Sequence, residues 1–124
     1  MIHLDTSFLI QSFVPGTSSA VRMESRLVKN EDIGISSIAW SEFLCGPLSP
    51  EDLMLAKNLF TFIEPFIDSD AEESAELFNL TGRRSRSLAD CQIAAVALRC
   101  DAQIATANTK DFLVFQAHGL MMAI

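Results

Sequence analysis

Proline and glycine are scarce in this 124-residue chain, at four and five residues, which excludes collagen-like and low-complexity classes. Long apolar runs are missing too. The longest clean one covers residues 93–98, far short of the roughly 20 residues a membrane helix needs. The three cysteines, Cys45, Cys91 and Cys100, are odd in number and form no C-x-x-C pair. That argues against a disulfide framework and a structural zinc site, and leaves three reduced core residues as the expectation. No basic stretch precedes the first apolar residues, and Asp5 interrupts them, so a cytoplasmic location is expected rather than a secreted one. The two histidines, His3 and His118, are isolated and read as packing or surface residues. Tyrosine is absent, and Trp40 and the nine phenylalanines sit among apolar neighbours that mark them as core.

Basic residues are also few, nine against sixteen acids, for a net charge of −7. Such a balance generally repels phosphate backbones and favours a basic protein partner. The charges are unevenly spread. Six acids fall between Glu64 and Glu76, whereas Arg83, Arg84 and Arg86 stand together just before Asp90. If four of the acids surround two divalent cations, four negative charges are cancelled.

What remains is an ordinary globular composition, 49% apolar and 20% charged, long enough to bury roughly two-thirds of the unfolded surface in one core. No repeat or linker divides residues 1–124, which read as a single domain. Strand patterns at 1–4, 33–35, 64–67, 102–106 and 120–124 alternate with helical patterns at about 7–13, 18–29, 37–45, 50–62, 69–82 and 88–99. Thr17 or Ser18, Ser36 or Ser37, and Ser49 stand at helix starts as caps, with Pro50 in the first helical position. The Ser69-x-x-Glu72 spacing suggests a capping box, and residues 108–112 suggest a turn. The expected fold is therefore α/β, a central parallel sheet of about five short strands covered by helices on both faces.

In open parallel sheets, ligands bind beyond the carboxyl ends of the strands. Asp5 follows the first strand pattern and Asp111 the fourth, while Asp90 and Glu42 occupy early turns of helices. Asp5, Asp90 and Asp111 each also suit a helix start as caps. Glu42 differs, because residues 38–45 are apolar almost all round a helical wheel, and an ionised carboxylate there loses hydration unless a cation or donor faces it. The alternative is an edge position where Ser41 and Glu42 reach water. Hard cations such as Mg²⁺ take oxygen ligands and activate water at phosphorus without a histidine base.

Four segments then carry a resemblance, in order and along essentially the whole chain: Leu4-Asp5-Thr6-Ser7, Ser41-Glu42-Phe43-Leu44, Leu88-Ala89-Asp90-Cys91-Gln92-Ile93-Ala94-Ala95 and Thr106-Ala107-Asn108-Thr109-Lys110-Asp111-Phe112. Together they resemble the PIN-domain family, and within it the VapC-like toxin ribonucleases. The resemblance implies that Asp5, Glu42, Asp90 and Asp111 bind Mg²⁺ or Mn²⁺ and activate water for endonucleolytic RNA cleavage. It implies supporting hydrogen bonds from Thr6 and Thr106, and an Asn108 that shares or takes the role of Asp111. It further implies a homodimer and an antitoxin partner that blocks the site. Arg83, Arg84, Arg86 and Lys110 lie near these acids in sequence and are candidate RNA-phosphate contacts, against the reading of a solvated loop. The competing expectation is a catalytically silent PIN-like protein-binding module. A metal-dependent phosphatase is disfavoured, because Asp5-Thr6-Ser7 lacks the second acid of a D-x-D pair.

Overall fold

The computed structural model describes residues 1–123. Its elements are β1 (Ile2–Leu4), α1 (Thr6–Ser12), α2 (Ser18–Val28), β2 (Ile33–Gly34), α3 (Ser37–Leu44), α4 (Pro50–Leu59), α5 (Asp68–Leu80), α6 (Leu88–Arg99), β3 (Gln103–Ala105) and α7 (Thr109–Leu113), then a 3-10 turn at Gln116–His118. Four helices start where a short polar side chain accepts a backbone N–H left free by the first turn. Asp5 takes Phe8 N–H, Thr17 takes Ala20, Ser36 takes Ala39 and Ser49 takes Asp52.

The sheet is parallel in the order β2-β1-β3, with Ile2 beside Ile33 and Gln103, and Leu4 beside Ala105. All three residues of β1 are buried, as expected of a strand covered on both faces. Because β2 and β3 flank β1 on opposite sides, the carboxyl end of β1 is the topological switch point, where a crevice opens in folds of this kind.

Two of the five expected strands shrink to single parallel bridges, Ser36 with Glu64 and Ile104 with Met122. Pro65 has no N–H to continue the first ladder. The last residue of the expected final strand, Ile124, lies outside the described residues. The expected turn at 108–112 is the helix α7. The expected box at Ser69 and Glu72 is displaced: α5 starts at Asp68, and Asp70 accepts the Ile67 N–H at 3.0 Å. Asp70 turns inward because Arg99 on α6 grips both its oxygens, at 2.9 and 3.0 Å.

The core gathers Phe8, Phe43, Phe112 and Phe115 with the strands and with Cys91 and residues 93–97 of α6. Trp40 belongs to it, stacked on Phe43 with ring centroids 5.7 Å apart. Cys45 does not. It is exposed, contrary to the core position expected for it, because α3 buries only Ala39 and Phe43 fully. On α2 the buried positions are Ser19, Met23 and Arg26, spaced i, i+4, i+7, which leaves Val21, Leu27 and Val28 facing outward.

Arg99 also donates to the Pro65 carbonyl at 2.9 Å and pairs with Glu64, so one guanidinium joins α6, α5 and the segment before it. Asp70 is only 1% exposed, and without Arg99 its charge would be stranded. Arg99→Met is expected to cost about 3–5 kcal/mol in urea unfolding. Asp70→Asn should cost less, since Arg99 keeps Pro65 and Glu64. Equal losses would show that burial of the Asp70 charge is not the governing effect.

His3 on β1 is buried, with Nδ1 lacking a partner among the described residues. Burial pulls its pKa below the ordinary 6.5. The unfolded chain therefore binds a proton that the folded chain resists, so this contribution to stability is intact above about pH 6.5 and fades as pH falls below it. His3→Leu should narrow the loss of stability between pH 7.5 and 5.5. An unchanged pH profile in denaturation would contradict this.

Candidate active site

At the carboxyl ends of β1 and β3 the backbone brings Asp5 next to Thr106. Asp5 N–H donates to Ala105 carbonyl at 3.0 Å, and the Asp5 carboxylate, 4% exposed, caps α1. Its Oδ1 accepts from Phe8 N–H at 2.9 Å and Ser7 hydroxyl at 2.8 Å, while Oδ2 accepts from Thr106 hydroxyl at 2.7 Å. Each hydroxyl is held from behind, Ser7 Oγ by Ala107 N–H at 3.1 Å and Thr106 Oγ1 by Asn108 N–H at 2.9 Å. Two relays thus run from backbone N–H through hydroxyl to carboxylate and fix the plane of Asp5. Three donors on about four acceptor positions leave Oδ2 one lone pair.

Ser7 escaped the sequence reading, although a hydroxyl two residues beyond a capping acid was the available signal. Thr6, expected to support the acidic site by hydrogen bonding, donates to Glu42 Oε1 at 2.7 Å. Glu42 itself is exposed, so the argument from a buried helix does not apply to it. The outer side of α3, with Ser41, Glu42, Leu44 and Cys45, faces solvent, and only the opposite side is core.

Asp90 lies in the first turn of α6, and its carboxylate accepts no hydrogen bond among the described residues. Ser87 does not cap this helix; its N–H and hydroxyl both donate to the Arg84 carbonyl, at 3.2 and 2.8 Å. Partial burial, then the charges of Asp111, Asp5 and Glu42, push the Asp90 pKa up to about 7, with Arg84 opposing. Burial is also the main reason the Asp5 carboxyl lies above its usual range, with Glu42 adding to it and the three donors pulling it down. Asp111, Asp5 and Glu42 thus each act on Asp90, and Asp111 is the carboxylate it feels most.

Asp111 and Asn108 are both exposed at the start of α7, and the Asn108 side chain makes no capping bond. Of the basic residues, Lys110 is exposed on α7. Arg83 bonds Asn79 and lies over the Phe78 ring, Arg86 is exposed, and Arg84 is half-buried. Burial raises the pKa of Cys91 and Cys100, so neither thiol is poised as a nucleophile. His118 is exposed.

Among the described residues no group of three or more Asp, Glu, His or Cys side chains is placed to hold a metal ion. The donors are nevertheless of one kind. They are carboxylate oxygens with open lone pairs that repel one another, the chemistry a hard divalent cation accepts and a soft thiolate-seeking metal does not.

The chain matches the PIN domain family model over residues 2–116. It belongs to the PIN domain family. Solved structures of similar fold align along most of its length. The FitAcB structure from Neisseria gonorrhoeae aligns at TM-score 0.70 and 22% identity, covering 99% of this chain and 97% of that one. A toxin-antitoxin complex from Klebsiella pneumoniae aligns at 0.69 and 25% identity, covering 91% of each. Mycobacterium tuberculosis VapC20, described as a sarcin-ricin loop cleaving toxin, aligns at 0.68 and 19% identity, covering 99% and 98%. No curated protein matches by sequence.

The raised pKa makes Asp90 a liability to the metal-free PIN domain. The folded state holds the proton more tightly than the unfolded chain, so this contribution to stability is full below about pH 3.8 and lost as pH climbs to about 7. At pH 8 in EDTA, Asp90→Asn is expected to stabilise the protein, on the order of 1 kcal/mol after screening by solvent. The gain should vanish at pH 4. Destabilisation at both pH values would refute the electrostatic account.

Proposed function

We propose that this PIN domain is a Mg²⁺- or Mn²⁺-dependent endoribonuclease, the toxin of a type II toxin-antitoxin pair. The observation that carries the reading is Asp90, whose carboxyl is pushed up to about 7 by burial and by the charges of Asp111, Asp5 and Glu42. Strongly shifted groups beside specific charge partners at a switch-point crevice mark functional sites. Asp5, Glu42, Asp90 and Asp111 would hold the ion, with Asn108 as an accessory oxygen beside Asp111. Such an ion supplies Lewis-acid activation of water and neutralisation of charge at phosphorus. Ser7 and Thr106 orient Asp5, and Thr6 orients Glu42, so the chain's own contribution is to fix these two carboxylates.

The description of VapC20 as a sarcin-ricin loop cleaving toxin supports this choice of reaction, and the Klebsiella toxin-antitoxin complex supports an antitoxin partner. Exposed Val28, Met54 and Phe62 suit a protein cover, by antitoxin or by a second copy in a homodimer. A basic antitoxin segment would complement the acids of the crevice. The cytoplasm, where RNA substrates lie, is the compartment this reading assigns.

The test incubates purified protein with total RNA in Mn²⁺ and sequences the new ends. Asp5→Asn and Asp90→Asn are expected to lower cleavage by about a hundredfold or more while the circular dichroism spectrum is kept. Equal cleavage by wild type and variants would defeat the reading. Absence of both cleavage and Mn²⁺ binding, with retained binding of a basic peptide, would favour the silent protein-binding module.

A further inference from the structure

Helix α4 is held to the rest of the chain by little. Of its ten residues only Ala56 is fully buried, whereas α6 buries six of twelve. A helix of this length is marginal in water unless one face is packed. At 100° per residue Met54 stands opposite Ala56, and it is 66% exposed, beside Leu55 at 56%. Phe62, three residues past the end of the helix, is 62% exposed. Large apolar side chains gathered in this way mark a surface that is covered in the working protein.

The charges on this face select what covers it. Between Lys29 and Arg83 the chain carries eleven acids and a single base, Lys57. Glu51 and Lys57 stand three residues to either side of Met54, both exposed and neither in an ion pair among the described residues. A basic partner would meet Lys57 here, and an acidic one would meet Glu51. A second copy lying antiparallel about Met54 meets neither conflict, because each Glu51 is brought towards the other copy's Lys57. That reciprocity is what a two-fold interface requires. We propose that this face of α4 is where two copies of the chain associate, Met54 against Met54 with Leu55 and Phe62 beside it. Covering these side chains gives α4 the packed face that its own chain withholds. One short helix from each copy makes a small interface, so the dimer is a weak one. The same charge placement also suits the dipole of α4, acid at its start and base at its end, and reversing both charges separates the two effects. The association does not depend on RNA cleavage.

The experiment compares wild type, Met54→Asp, Lys57→Glu, the double reversal Glu51→Lys with Lys57→Glu, and Val21→Asp on α2 as a control. Circular dichroism checks that each is folded, and analytical ultracentrifugation follows self-association from about 1 to about 500 μM, the range in which a small interface dissociates. Wild type is expected to pass from monomer to dimer there, with a melting temperature that rises with protein concentration. Met54→Asp and Lys57→Glu should each weaken association by about tenfold or more. The double reversal should recover it although it opposes the helix dipole, and Val21→Asp should match wild type. A wild type that stays monomeric throughout overturns the proposal, as does a dimer that Met54→Asp leaves intact or a double reversal no better than Lys57→Glu. Loss of binding to a basic peptide in Met54→Asp, with self-association unchanged, assigns the face to another protein and overturns it too. None of these outcomes bears on the ribonuclease reading, which cleavage by the wild type tests separately.

Discussion

The carboxylate of Asp5 is the junction at which β1, α1 and β3 are joined. It ends β1 through a backbone bond to Ala105, starts α1 by accepting Phe8 N–H, and receives Thr106 from the end of β3. A helix cap and a candidate ligand are usually competing explanations of one aspartate. Here they are compatible, because a carboxylate has two oxygens and the cap occupies only one. The cap serves the site by holding the carboxylate against its own burial, which would otherwise favour the neutral acid.

Around that junction the protein tolerates electrostatic strain that folding alone would remove. Asp111, Asp5 and Glu42 all push Asp90 toward neutrality, and Arg84, which opposes them, is bonded to none of the four. The distant Arg99–Asp70–Glu64 network shows the opposite arrangement, in which every charge is answered at hydrogen-bond distance. The two clusters differ in whether their partners lie within the chain. One is complete and joins helices; the other has donors and acceptors of both signs left open, as expected where charged groups from outside must enter.

The net charge of −7 also looks different once its placement is known. Part of the acidity is paired with Arg99 and Arg26, and part lies in Asp5, Glu42, Asp90 and Asp111. An acidic total therefore does not oppose a phosphate substrate at a site where cations can intervene.

Local pattern was sufficient for the α/β class and for helix starts near Thr17, Ser36 and Ser49, because caps, periodicity and strand-end position are properties of neighbouring residues. It was insufficient wherever a distant group competed. Arg99 displaced the start of α5, Pro65 cut a strand to one bridge, and the packing of α3 put Glu42 in water although its sequence neighbours are apolar. Ser7 and Thr106 are 99 residues apart yet serve the same aspartate, and no spacing rule reports that. Likewise Arg83, Arg84 and Arg86 are equivalent as letters, and only packing sets Arg84 apart, with two of its guanidinium nitrogens buried. Short-range hydrogen bonding is written along the chain; which side chain is buried, and beside which charge, depends on contacts between segments that meet only after folding.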